Sequence, residues 1–138
     1  MTQKLLRSLY YKSSGMSLDP ESYINQVIDT YMKLYPNIFT RRPDKIVYLD
    51  DTLIISPTGN PVLGITVKTR LPRQNCSRCL LSTSTYNQMI IPYYGLNEET
   101  IVHELIHTNG VRSEVITRIM TRVLLGTKNL AKRIREVR

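Results

Sequence analysis

The chain has no tryptophan, one phenylalanine, two cysteines and two histidines among its 138 residues. Each scarcity narrows what the protein can be. A metal site built on a histidine pair must use both and take its further ligands from other residue types. No apolar run approaches the roughly 18 residues of a membrane-crossing helix, which excludes a helical span. The opening residues, Met1 to Lys12, lack the apolar core and small-residue cleavage site of a secretory signal. A cytoplasmic location with reduced thiols is therefore expected. No internal repeat or low-complexity segment stands out. Nine tyrosines make up most of the aromatics, a bias for which the sequence offers no physical account.

Acidic residues are also in deficit. Eleven Asp and Glu against 19 Lys and Arg give a net charge of +8. The excess is concentrated at one end: residues 111–138 carry eight Lys or Arg against Glu114 and Glu136, hence +6. Such an end predicts an acidic partner, nucleic acid or an anionic membrane face, although it reads equally well as a solvated helix face. No aromatic interleaving or nucleic-acid motif accompanies it. The nucleic-acid contact expected is thus non-specific, through phosphates. With 41% apolar and 22% charged residues, the composition is that of an ordinary soluble domain.

The order of elements follows from periodicity and punctuation. Leu5, Leu6, Leu9 and Tyr10 give a short helical pattern. Asp19 then offers an N-cap and Pro20 a first helical position for the repeat Tyr23, Ile24, Val27, Ile28, Tyr31 and Leu34, which Pro36 closes. Ile46–Leu49, Leu53–Ile55 and Ile65–Lys68 read as three strands, mutually antiparallel, separated by Asp50-Asp51 and Pro57–Pro61. A weaker run from Leu80 to Thr85 and the run Gln88–Ile91 follow. Asn97 can cap the next helix, with Glu98 and Glu99 in its first turn, and Asn109-Gly110 ends it. Ser113 can cap a further helix that Gly126 is expected to stop, before a last basic helix bearing Leu130, Ile134 and Val137.

The helix after Asn97 holds both histidines, as His103-Glu104-Leu105-Ile106-His107. Four residues apart, the two rings share one helix face, roughly 6 Å apart along the axis, and can converge on one cation. Zn²⁺ suits neutral imidazole, and a carboxylate and a water can finish a tetrahedral shell. Glu104 points about a third of a turn away, so it can reach that water without binding the metal. Ile101, Val102, Leu105 and Ile106 read as the buried sides of the helix. The bland alternative is a histidine pair satisfied in the core or on the surface.

This helix resembles the HExxH hallmark of the zincin metallopeptidases, and the resemblance covers mainly residues 86–125. It implies a zinc-dependent peptidase acting on peptide or protein substrates, with His103 and His107 as metal ligands and Glu104 as general base. Asn109 stands where zincins usually carry an apolar residue. Downstream of His107 the only carboxylates are Glu114 and Glu136. The string from His103 to Ser113 is similar to the metzincin pattern HExxHxxGxxH, with Ser113 at the place of the third ligand. In gluzincins a Glu from the following helix serves, which points to Glu114. Neither subfamily fits cleanly, and Glu114 also reads as a first-turn acid favoured by the helix dipole. No oxyanion stabiliser is legible; Tyr93, Tyr94 and Arg112 are candidates by proximity in sequence. The implied architecture is an α+β minimal zincin: N-terminal helices, a small mostly antiparallel sheet whose edge strand flanks the cleft, the HExxH helix and C-terminal helices. It would occupy residues 1–126, with 127–138 as a basic helix of the same domain or an appendage.

Cys76-Ser-Arg-Cys79 supports a competing reading. A CxxC pair can be a redox pair, half a zinc site or two idle thiols. Followed after 23 residues by the two histidines, it also makes a complete set of four zinc ligands: Cys76, Cys79, His103 and His107. In that case the zinc is structural, Glu104 is incidental, and the basic end marks a non-enzymatic nucleic-acid-binding domain.

Overall fold

The computed structural model describes residues 19–72 and 83–137. The helical pattern at Leu5–Tyr10, the start of the run at Leu80 and the Cys76/Cys79 pair lie outside them. The described elements are helix α1 (Pro20–Leu34), strands β1 (Lys45–Leu49), β2 (Ile65–Pro72) and β3 (Thr83–Pro92), a 3₁₀ turn at Tyr93–Gly95, and helices α2 (Glu98–Thr108) and α3 (Glu114–Val137). The class is α+β, as expected.

Local signals act where the sequence puts them. The Asp19 carboxylate accepts from the Ser22 N–H at 3.2 Å and Pro20 opens α1. Ile24, Val27, Ile28 and Tyr31, spaced along one face, are buried. The Asn97 side chain accepts from the Thr100 N–H at 2.8 Å and starts α2. Gly110 ends that turn at φ +100°, a left-handed conformation favourable only for glycine. The Ser113 hydroxyl accepts from the Ile116 N–H at 3.2 Å at the head of α3.

The sheet is mixed, in the order β1-β3-β2. β2 pairs antiparallel with β3 over eight residues, whereas β1 pairs with β3 in parallel over five, from Lys45 opposite Gln88 to Leu49 opposite Pro92. Three expectations are corrected. The strands are not mutually antiparallel, since β1 runs parallel to β3 and does not pair with β2. Leu53–Ile55 is not a strand; it contributes an isolated bridge, Ile55 to Pro61. Leu53 and Ile55 are about half exposed, so no apolar face drives a ladder there, and Pro57 and Pro61 lack the N–H groups a ladder needs. Helix α3 does not stop at Gly126 but runs on to Val137. Glycine in a helix interior costs only about 1 kcal/mol relative to alanine. Buried Leu124 on one side and Lys128, tied to Glu98, on the other hold the helix through it.

Alternate residues of β3, Asn87, Met89 and Ile91, are buried beneath the helices. Met89 and Ile91 join Ile24, Ile28, Tyr31, Phe39, Ile101, Val102, Leu105 and Ile106 in one core. α2 packs on α1, α3, β2 and β3, and so stands at the centre of the fold. One polar tie joins the three helices. The Glu98 Oε1 atom accepts from the Tyr31 hydroxyl at 2.5 Å and from Lys128 Nζ at 2.6 Å, and Lys128 Nζ lies 5.3 Å from the Tyr31 ring centroid.

Burial alone would raise the pKa of Glu98, but hydrogen bonds from Lys128 and Tyr31 outweigh it and hold the carboxyl below its ordinary range. A depressed folded pKa contributes stability above the unfolded value, about 4.3, and that stability is lost as pH falls through the folded value. Glu98→Gln should therefore unfold about 1–2 kcal/mol more easily near neutrality, as for loss of a charge-assisted hydrogen bond. Denaturant titration should show the gap to the parent protein closing as the solution is acidified below the carboxyl range.

Candidate metal centre

The local fold aims three electron-rich side chains at one point. α2 is apolar along one half of its circumference, and its polar half carries His103 and His107 beside the stripe Thr100, Glu104 and Thr108. Ile101, Val102, Leu105 and Ile106 are fully buried, so the helix cannot roll without exposing them. The Gly110 turn reverses the chain, and the Ser113 cap sets Glu114 in the first turn of α3, facing back towards α2. Asn109, polar where the resemblance suggests an apolar residue, serves that turn. Its side-chain oxygen accepts from the Thr40 and Arg41 N–H groups at 3.0 and 2.9 Å, and its amide donates to the Arg41 and Leu105 carbonyls.

The resulting distances are close to those of a coordination shell. His103 Nε2 lies 3.1 Å from Glu114 Oε2, His107 Nε2 lies 2.9 Å from Glu114 Oε1, and the two Nε2 atoms are 3.2 Å apart. Ligands bound tetrahedrally to zinc at 2.0–2.1 Å lie about 3.3 Å from one another. Among the described residues, His103, His107 and Glu114 are the cluster able to hold a metal ion.

Hydrogen bonding sharpens the case. His107 Nδ1 is 2.7 Å from the Val111 carbonyl, which can only accept, so Nδ1 carries the proton. In the neutral ring Nε2 then presents its lone pair to the Glu114 carboxylate and to His103. The Val111 contact is the kind of outer support that orients a metal-binding imidazole, and the Nε2 lone pair it leaves is the one a cation would take. Zinc, with its preference for imidazole nitrogen and carboxylate oxygen, fits this donor set.

Glu104 is buried, 5% exposed, and lines the same cavity of about 890 Å³ as His103, His107 and Glu114. Its Oε1 accepts from the Thr66 hydroxyl at 2.6 Å, which fixes the carboxylate from strand β2. Desolvation by burial raises its pKa and prevails over the opposing effects of the Thr66 hydrogen bond and the two histidines; Glu114 adds to the rise. Two glycines make this close packing possible. A Cβ on Gly64 would lie 2.8 Å from the Glu104 side chain, and one on Gly95 would lie 1.8 Å from the Leu63 carbonyl oxygen.

None of the three oxyanion candidates lies on the cavity. The Tyr94 hydroxyl is engaged with Ile54 N–H at 3.0 Å and with the Ile54 and Val62 carbonyls at 3.1 and 2.7 Å, pinning the loop before β2. Tyr93 is buried elsewhere, and Arg112 is exposed beside the site. Arg118 and Arg122 line the cavity instead. They follow Glu114 at one and two helical turns, a spacing that could have found them. Thr66 gave no comparable signal. Cys76 and Cys79 lie outside the described residues. Comparison with protein-family models, curated proteins and solved structures finds no match, so the chemistry of the side chains carries the functional reading.

Metal-free protein should take up a single equivalent of Zn²⁺ per chain with a rise in thermal midpoint. His103→Ala, His107→Ala and Glu114→Ala should each weaken binding by a factor on the order of 100 or more, since loss of even an outer-shell partner commonly costs 10–100-fold. Competition with a chromophoric chelator measures this directly; undiminished affinity in the Glu114 variant would remove it from the ligand set.

Proposed function

We propose that this chain is a zinc-dependent metallopeptidase, with His103, His107 and Glu114 as the metal ligands and Glu104 as general base. The observation that carries this reading is the convergence of the three ligand groups within 3.2 Å beside a buried carboxylate of separate fixation. A purely structural zinc site gives Glu104 no role. Here it is held off the ligand cluster by Thr66, on the wall of a cavity that substrate can enter.

Zinc bound at these ligands supplies Lewis acidity, lowering the pKa of a water and polarising a carbonyl. The protein's own groups do the rest. Glu104, buried and therefore a stronger proton acceptor than a solvated carboxylate, takes the proton of the attacking water and delivers it to the departing amide nitrogen. Thr66 keeps that carboxylate aimed. Arg118 and Arg122 supply positive charge on the side of α3, where they can stabilise a developing oxyanion or orient a substrate carbonyl. Substrate positioning falls to β2. It is an edge of the sheet, pairing with β3 alone among the described strands, and Ile65 and Thr66 at its start line the cavity. An extended peptide can add to that free edge by main-chain hydrogen bonds.

Glu104→Gln should retain zinc and fold while losing peptide hydrolysis by about 10²–10⁴-fold, the usual contribution of a positioned general base. Equal turnover of a cleaved peptide by variant and parent would refute the assignment. The structural-zinc alternative separates on metal content. In the peptidase reading Cys76→Ser/Cys79→Ser keeps its zinc and its thermal midpoint, whereas Glu114→Ala loses metal. The reverse pattern would make this a zinc-stabilised binding module.

A further inference from the structure

One face of α3 is left unexplained by either the core or the metal centre. Thr117, Thr121 and Leu124 turn inward and are buried. At about 100° per residue, Ile116, Ile119, Val123, Leu130 and Ile134 fall on the far side of the helix within a strip roughly 60° wide and about 27 Å long. Each is 50–58% exposed, and Val115 beside them is 65% exposed. The helix also outruns the fold: residues 129–136 are all exposed. Branched aliphatic side chains gathered into one long strip mark a surface that is covered in use.

Charge decides among the possible covers. Arg122 and Arg133 border the strip on the same helical projection, and Arg118, Lys132 and Arg135 lie further round. None of the five makes an ion pair among the described residues. The acids of the helix are Glu114, engaged with the histidines, and Glu136. A second copy of the chain would set these cations against their own kind. Residues 1–18 bring Leu5, Leu6 and Leu9 but also Lys4, Arg7 and Lys12, with no acid. Nucleic acid would meet the cations and leave the aliphatic strip in water. An anionic bilayer satisfies both features: basic side chains reach the headgroups while the aliphatic face enters the acyl boundary.

We infer that α3 is a peripheral membrane-binding helix, lying along an anionic lipid surface with the Ile116–Ile134 strip inserted. The inference stands on the helix surface and does not depend on the peptidase reading.

The test is flotation of the 138-residue chain with vesicles of phosphatidylcholine alone and of phosphatidylcholine with phosphatidylserine. The parent protein should float with the phosphatidylserine vesicles and partition on the order of tenfold less onto the neutral ones. Ile119→Asn/Val123→Asn/Leu130→Asn should lose at least as much on anionic vesicles, with helix content unchanged by circular dichroism. Should that variant misfold, Leu130→Asn/Ile134→Asn, confined to the exposed turns, decides the matter. Lys132→Glu/Arg133→Glu should weaken partition and flatten its salt dependence. Absence of vesicle binding would overturn the inference, as would binding indifferent to the apolar substitutions. So would tight binding to duplex DNA without vesicle binding, or self-association in sedimentation that the apolar substitutions abolish.

Discussion

Two imidazole nitrogens and a carboxylate converge to within 2.9–3.2 Å of one another, an approach that a proton or a cation shared among them makes favourable. Everything around the site serves to keep them there. Four fully buried aliphatic residues hold α2 in one rotational setting, and the left-handed Gly110 turn brings the next helix back against it. The Val111 carbonyl fixes the tautomer of His107. A short loop, Asn109–Ser113, thus performs three tasks at once: it ends one helix, caps the next and orients the His107 ring. The polar Asn109 belongs to this arrangement, because its amide stitches the loop to residues 40 and 41.

What the sequence made legible is what local chemistry decides. Asp19, Pro20, Asn97, Gly110 and Ser113 each act through hydrogen bonds or dihedral preferences spanning four residues or fewer, and each stands where its residue type predicts. The spacing of His103, Glu104 and His107 is equally local, and the turn that carries Glu114 back is only a few residues long. The misread features are non-local or energetically small. The parallel pairing of β1 with β3 joins residues more than 40 positions apart and leaves no trace in either strand's own pattern. The Leu53–Ile55 segment had the right residues for a strand but no apolar face to bury. Gly126 carried a penalty too small to break a helix anchored on both sides. Thr66 and Gly64, which place Glu104, could not be found because their roles arise only when β2 crosses α2.

The two halves of the functional reading occupy different faces of the same element. The inner and lateral face of α3 supplies Glu114, Arg118 and Arg122 to the cavity, while the outer face carries aliphatic residues to solvent. A helix used only as scaffold has no need of the outer strip, and one used only as a surface anchor has no need of the first. The basic excess that composition assigns to the C-terminal end is therefore divided. Lys128 is spent within the fold on Glu98, and the remaining cations face the cavity rim or the solvent.

The uninterrupted run of α3 through Gly126 has a mechanical consequence. A helix is stiff to torsion, and this one carries Glu114 in its first turn and ends in turns that no other part of the described fold restrains. A roll of about 10° around its own axis would carry a carboxylate held about 5–6 Å from that axis through about 1 Å. That distance is comparable to the tolerance of a coordination shell. Torque applied at these last turns is thus delivered to Glu114 with little loss, like a key turned from its bow. By reciprocity, an ion that fixes Glu114 also fixes the rotational setting of the distant turns.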